Sequence, residues 1–555
     1  MLTLGGLYTY TKTSEHINQR GNDLSVAVSA AEAATEKVIS QITTDFRNYG
    51  DGYLQLHLDN YRRLVPSASE ASDWTNFDFM DLSGTGNRVE VQYTPMTQNG
   101  LSLISNMYGP LRGFNDLVRV ISNARMRNSM DQVVGSVYQD INLTRIPIFQ
   151  YAIFYNVLLE FTPLPPMTVT GPVHCNTNIW MNPMGSLTFN NDVTSSGTIY
   201  QGAYAVSPLP LLGGTVTYNG AHDSGVSTLS LPIGTNNSPA AVQQVIGIPP
   251  SSEDPQSSIG QQRYYNKADL LIIVSNNNVV VESGLATSFA YSVSTNEFLS
   301  FISTNFSFYN KREAKTILGI QIDVGKLVQW NATNTSIRPH LPAQDVETIY
   351  IADQRTIASG YESGVRLVNG SALPPQGLTV ATASPVYIQG DYNVPPAARG
   401  TTNTGGALPA SVAADAITVL STAWSDANSS KSLSSRIAGD TTVNAAFLSG
   451  IVATTALSDS GGVENFPRFL EDWTNHTLTY NGSMVCMFYS AIATGLWLGI
   501  DEPYDIYNPP IRNWALDQNF QYRNKLPPAT PSLTVLVRSS WRMPTAFTTN
   551  SLAGF

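Results

Sequence analysis

Six histidines, two cysteines and a sparse set of carboxylates are the side chains in this 555-residue chain that could do chemistry. His16, His57, His174, His222, His340 and His476 share no metal-ligand spacing. His174 alone has a cysteine beside it, but neighbouring residues on a strand point to opposite faces, so His174 and Cys175 do not chelate easily. There is no glycine-rich phosphate loop and no nucleophile elbow in a strand–turn–helix context, and Ser483 in Asn481-Gly482-Ser483-Met484 has no histidine constellation around it. What remains is acid chemistry. Asp391, Glu464 and Asp472, with Arg468 close to the last two and Asp323 near Lys326, are the residues from which a sugar-cleaving acid pair or a calcium site could be built. The simpler expectation for them is turn formation or solvated surface, with no catalytic, metal or cofactor site.

Such side chains need elements to bring them together, and the chain carries an internal repeat that could. Residues 168–180 align with 188–200 at a constant offset of 20, apolar residues coinciding at 169/189, 173/193, 179/199 and 180/200. Short strands with tight polar corners at that period are what one coil of a β-solenoid requires, and a single coil cannot bury its inward side chains alone. A related signature recurs as Met167-Thr168-Val169-Thr170-Gly171, Leu187-Thr188-Phe189-Asn190-Asn191, Val216-Thr217-Tyr218-Asn219-Gly220 and Leu478-Thr479-Tyr480-Asn481-Gly482, with a looser copy at Thr442-Val443-Asn444-Ala445. Each reads as an inward strand residue followed by a corner that tolerates positive φ. Asn-Gly hairpins are the competing explanation.

Residues 14–49 carry the one long helical pattern. Ile17, Gly21, Leu24, Val28, Ala31, Thr35, Val38 and Ile42 alternate three and four apart, a narrow stripe suited to packing on other helices or on the chain's own domain. Gly50 and Gly52 are expected to stop it. Residues 114–133 are read as helical. Residues 146–161 are read as strands buried on both sides, and 203–262 as a long loop excursion. A hairpin is expected around residues 275–278, and a helix over 405–428 from Ala413, Ile417, Leu420 and Trp424.

Composition narrows the functional classes. Charged residues make up only 13% of the chain, while the net charge is −11. Solubility therefore rests on Asn, Ser, Thr, Gln and Gly. The 30 basic residues are scattered without a run or stripe, which speaks against nucleic acid as a partner. Cys175 and Cys486 could pair or remain buried thiols, the thiols being slightly favoured. Met1 to Tyr8 are apolar but too few to cross a bilayer, and they look like the last turns of a membrane helix whose remainder is missing.

The segment Leu7 to Phe46, with Asn18-Gln19-Arg20 followed by Ala30-Ala31-Glu32-Ala33, resembles the amino-terminal region of PilX-type, minor-pilin-like pilus assembly proteins. Strings such as Gly171-Pro172-Val173-His174-Cys175 and Gly462-Val463-Glu464-Asn465-Phe466-Pro467-Arg468 resemble large verrucomicrobial and planctomycetal surface proteins sharing that start. The resemblance implies a non-enzymatic component of a type IV pilus-like filament or its assembly machinery. Its partners would be other pilin-like subunits, docking through a helix face of Leu24, Val28, Ala31, Val38 and Ile42. The β-rich ectodomain would be shown at the cell surface or in the periplasm, open to a surface ligand or glycan, with inner-membrane contact only if an apolar segment lies upstream. A β-helix polysaccharide lyase or hydrolase and a soluble adhesin or scaffold are the rival readings. The expected fold is mainly β: a helix over 1–52, a mixed α/β region over 53–150, a solenoid-like body over 151–400, a helical insertion over 401–440 and a β region over 441–555.

Overall fold

The computed structural model describes residues 2–95, 102–103, 111–128, 132–285, 289–497 and 506–543. It is mainly β behind a long amino-terminal helix. Its contacts divide it into two units, one of Met1–Asn99, Phe114–Arg145 and Thr534–Phe555, the other of Gly100–Gly113 and Ile146–Leu533. The helix cannot bury its stripe alone, and it draws the strands that follow it into its own unit.

In the first unit helical backbone spans Leu2–Leu56 but is broken at Gly50, whose φ of 78 and ψ of −172 end the long helix where expected and kink it into a short second one. It lies on an antiparallel sheet in which Arg112–Met126 pairs with Phe77–Met80, Glu90–Thr94 and Val134–Pro147. The helix expected over 114–133 is therefore a strand. Asp116, Val118 and Val120 are buried while Leu117 and Arg119 between them are only half-buried, so a period of two prevails. The core joins Ala30, Ala31, Ala34, Val38, Ile39, Ile42 and Phe46 of the helix to Val118, Val120, Ala124, Val137, Ile141 and Leu143 of the sheet.

In the second unit short strands stack in parallel, and the 20-residue offset is the register of their pairing. Met167 faces Leu187, Val173 faces Val193, and Ile179 faces Ile199. The recurring Thr-x-Asn signature marks one side of the stack. Thr168, Thr188 and Thr217 stand in one row, Thr442 and Thr479 in another. Its asparagines bond rung to rung: Asn219 Nδ2 donates to Asn190 Oδ1 at 2.9 Å, and Asn481 Nδ2 to Asn444 Oδ1 at 2.8 Å. Such ladders satisfy corner groups that stacking removes from water.

The longest sheet has eleven strands and an order the sequence does not follow. The chain enters it in the middle at Ile153–Tyr155, then adds Val173–Cys175, Val193–Ser195 and His222–Ser224 outward on one side. It next crosses to the far end, forms the antiparallel hairpin Leu270–Val274 and Val279–Ser283, and returns rung by rung. Met484–Tyr489 closes the circuit by pairing in parallel with Ile153–Tyr155. The crossing segment lies against this sheet, held where Asn176 Nδ2 meets Leu229 O (2.8 Å), Asn156 Nδ2 meets Asn237 O (2.9 Å) and Tyr350 OH meets Ile246 O (2.8 Å). It includes the short helices Pro239–Gln243 and Ser258–Gln262.

The helical insertion expected over 401–440 is corrected to strands Ala410–Ala414 and Ile417–Leu420, buried throughout. Asp415 makes the corner between them, its carboxylate accepting from the backbone N–H of Ala491, Ile492 and Ala493 at 2.6, 3.1 and 2.8 Å.

Both cysteines are free and buried. Tyr155 pairs with Cys486 on one side and Cys175 on the other, so the thiols sit two strands apart, roughly 9.5 Å. That exceeds the reach of a disulfide. Burial also pushes the Cys175 thiol up to about 11. Native protein should therefore react with no more than a trace of an aromatic disulfide reagent at pH 8, both thiols appearing on unfolding, and dithiothreitol should leave Tm unchanged.

Candidate functional site

Two places merit examination as functional: the free part of the helix, and the carboxylates of the stacked body. From Gly5 to Val26 every helical residue except Asp23 is exposed, a stretch of roughly 33 Å. Leu7, Tyr10, Ile17 and Leu24 are among them, and they prolong the stripe that becomes core further along. The five-residue assembly face is thereby corrected. Ala31, Val38 and Ile42 are fully buried in the chain's own core and Val28 is partly buried against it, which leaves Leu24 available to a partner. Among the described residues no helix is long and apolar enough to cross a membrane.

The acidic candidates do not form a group. Asp323 caps the helix Val324–Thr333, accepting from Lys326 N at 3.1 Å, with the Lys326 ammonium 3.8 Å away. Asp391 receives Arg399 Nε at 2.6 Å and Thr442 N at 2.8 Å. Burial would raise the carboxyl of Asp472, but the bonds from Thr474 and Asn508 outweigh it and hold the group below its usual range. Arg468 is buried and paired with Glu313 at 3.0 Å. Ser483 Oγ donates to Tyr151 O at 2.5 Å. His174 is buried between Thr194 (2.8 Å) and Asn176 (3.0 Å), and burial lowers it to about 4. Among the described residues no three His, Cys, Asp or Glu side chains gather where they could hold a metal ion.

Glu464 is the exception in its surroundings. It borders a cavity of about 540 Å³ walled by Leu164, Leu209, Leu212 and Trp497, with Arg512 beside it. One carboxylate oxygen accepts from Thr162 N at 3.3 Å, and the other is buried without a hydrogen bond. Burial lifts the group to about 7, against the pull of Arg512. Glu160 behaves alike: burial, then Asp459, raises it to about 7, although Thr454 and Ser460 (2.8 Å) bond to one oxygen. Each could exchange a proton near neutrality. Among the described residues, however, Glu464 is the one carboxylate lining the cavity, and none of them forms an acid pair with it there. Sequence reasoning missed Glu160, Asp415 and Glu471 because their partners lie 50 to 300 residues away. No local pattern marks such ties.

No protein-family model, no curated protein and no solved structure matches this chain.

Proposed function

We propose that the protein is a non-enzymatic component of a type IV pilus-like filament or its assembly machinery, displaying a large β-solenoid at the cell surface or in the periplasm. The observation that carries this reading is the divided use of one helical stripe. Its later part, from Ala31 to Ile42, is sealed on the sheet, while its earlier part, through Leu7, Tyr10, Ile17 and Leu24, stands in water. Apolar residues held in helical register without a partner are suited to other helices of the same kind. The parallel stacking at a 20-residue register supports a solenoid that serves as a stiff display body. The engagement of Asp323, Asp391, Arg468 and Asp472 in caps, corners and ion pairs supports a structural role over sugar cleavage. Other pilin-like subunits are the partners, with a surface ligand or glycan on the displayed body and no nucleic acid.

The test is a double variant, Ile17→Glu with Leu24→Glu, expressed in a pilus-bearing host. Sheared surface filaments should carry at least tenfold less of the variant than of wild type, while its Tm stays within about 1 °C, as expected for exposed positions. Equal recovery of both proteins in the filament fraction would rule the assembly role out.

A further inference from the structure

The stack of short strands is capped at one end and open at the other. At the far end two of its sheets finish in antiparallel hairpins, Leu270–Val274 with Val279–Ser283 and Ile302–Asn310 with Lys315–Asp323. The outer strand of the first hairpin is itself covered, Ser283 N bonding Tyr291 O and Val293 N bonding Val281 O. At the other end Ile199–Gln201, Thr215–Tyr218 and His222–Ser224 form the last rung, each at the edge of its sheet. In a parallel ladder the N–H and C=O of one residue turn to the same neighbour. Gly202 N bonds Met181 O, Asn219 N bonds Phe189 O and Val193 N bonds Ala221 O, so alternate residues face back into the stack. Gln201, Val216, Tyr218, His222 and Ser224 consequently turn their backbone groups outward, where they make no backbone hydrogen bond to a described residue.

The side-chain layers also stop at this rung. Ile179, Leu187, Phe189 and Val193 are buried one rung below, whereas Ile199, Val216 and Tyr218 above them are half-buried and His222 is exposed. Trp180 carries Tyr200 and Phe189 carries Tyr218, with ring centroids 4.1 and 5.6 Å apart, and both rows end there. Tyr200 and Leu211 are exposed beside the edges. A solenoid's last coil needs a cap over its core, and natural sheets blunt open edges with lysine or proline. From residue 198 to residue 226 Asp223 is the one charged side chain, and no proline lies within the three strands.

We infer that this open rung docks against the same rung of a second copy, end to end about a two-fold axis. A two-fold rotation reverses strand direction, so the edges of the two copies meet as antiparallel pairs. Each edge is only three or four residues long, and one extended peptide can follow only one of them. Another three-sided rung meets all three together, and this chain supplies one. The hairpins at the far end present no such rung, so like meets like and the assembly closes at two copies.

The experiment sediments the full chain from about 0.1 to about 100 µM, then measures hydrogen exchange at both extremes. A reversible passage from one copy to two is expected, with exchange at least tenfold slower in the dimer at the amides of Gln201, Val216, Tyr218, His222 and Ser224. Gln201→Pro with His222→Pro removes two outward N–H groups and leaves the inward ladder whole. That variant should dimerise at least tenfold more weakly, with the Tm of the dilute protein within about 2 °C of wild type. The Ile17→Glu, Leu24→Glu variant should dimerise as wild type does. A chain that stays monomeric, an assembly that grows past two copies, or a dimer that leaves those five amides unprotected overturns the inference. Loss of the dimer in the helix variant overturns it as well.

Discussion

Replacing Gly135 with valine should lower the melting temperature of the amino-terminal unit more than any exposed substitution. Gly135 lies in the strand Val134–Pro147, where a Cβ would meet Val28 N at 2.3 Å and the Ala27 carbonyl carbon at 2.4 Å. Those are backbone atoms of the helix, which cannot swing aside as a side-chain tip can. The helix must lift from the sheet at the point where its buried stripe begins, loosening Ala30, Ala31 and Ala34. Overpacking a core costs about 1–3 kcal/mol when side chains yield, and a backbone clash belongs at or above the upper end. At about 2–4 °C per kcal/mol, a Tm fall of roughly 6–12 °C or more is expected for this unit by scanning calorimetry. Leu24→Ala, on the exposed stretch, should shift it by less than about 2 °C. A Gly135→Val protein with wild-type Tm would show that the helix does not rest on the sheet as described.

Raising the pH from 6.5 to 8 should destabilise the stacked unit, and Glu464→Gln should remove part of that loss. Burial holds the carboxyls of Glu160, Glu464 and Glu471 up to about 7, against 4.5 for the ordinary group. Between those values the folded chain keeps protons that the unfolded chain has released, so stability falls as pH rises through the window. Above about 7 the loss is complete, on the order of 3 kcal/mol per group. His174 acts in the opposite sense, since burial lowers it from 6.5 to about 4 and stability is gained as pH rises between those values. Above 6.5 the carboxyls dominate, and only towards pH 8 does Lys267, which burial lowers to about 8, begin to act in the opposite sense. Chemical denaturation at a series of pH values should therefore give a lower midpoint at 8 than at 6.5. Glutamine at 464 resembles the protonated acid, and should stabilise the protein at pH 8 while changing little near pH 5. A wild-type midpoint that rises from 6.5 to 8 would contradict this account.

Much of the stack is legible in the sequence because its determinants are local. The offset joining 168–180 to 188–200 survives as pairing register, since inward side chains and corner residues must coincide from rung to rung. The hairpin around residues 275–278 follows from two apolar runs and an asparagine-rich turn. Residues 410–420 are less decisive. Ala413, Ile417 and Leu420 fit a helical stripe, yet the run is apolar throughout, and a strand buried on both sides leaves the same trace. Asp415 interrupts that run and is the corner signal that could have settled it. For the helix face the stripe itself is legible but its partner is not. Spacing gives Ala31, Val38 and Ile42 one side of a helix, and only the sheet shows what covers that side. The buried carboxyl network leaves no trace at all, because Glu160 and Ser460 are 300 residues apart.

The order in which the rungs are laid down has a consequence for synthesis. Asn156 Nδ2 reaches Met487 O across 331 residues, so the first-made strand lacks its neighbour until that later stretch leaves the ribosome. At roughly 5–20 residues per second the interval is about 15–70 s. Throughout it the nascent polypeptide carries a naked, hydrogen-bond-hungry border, which a holdase must shield or which nearby copies on the same messenger could capture.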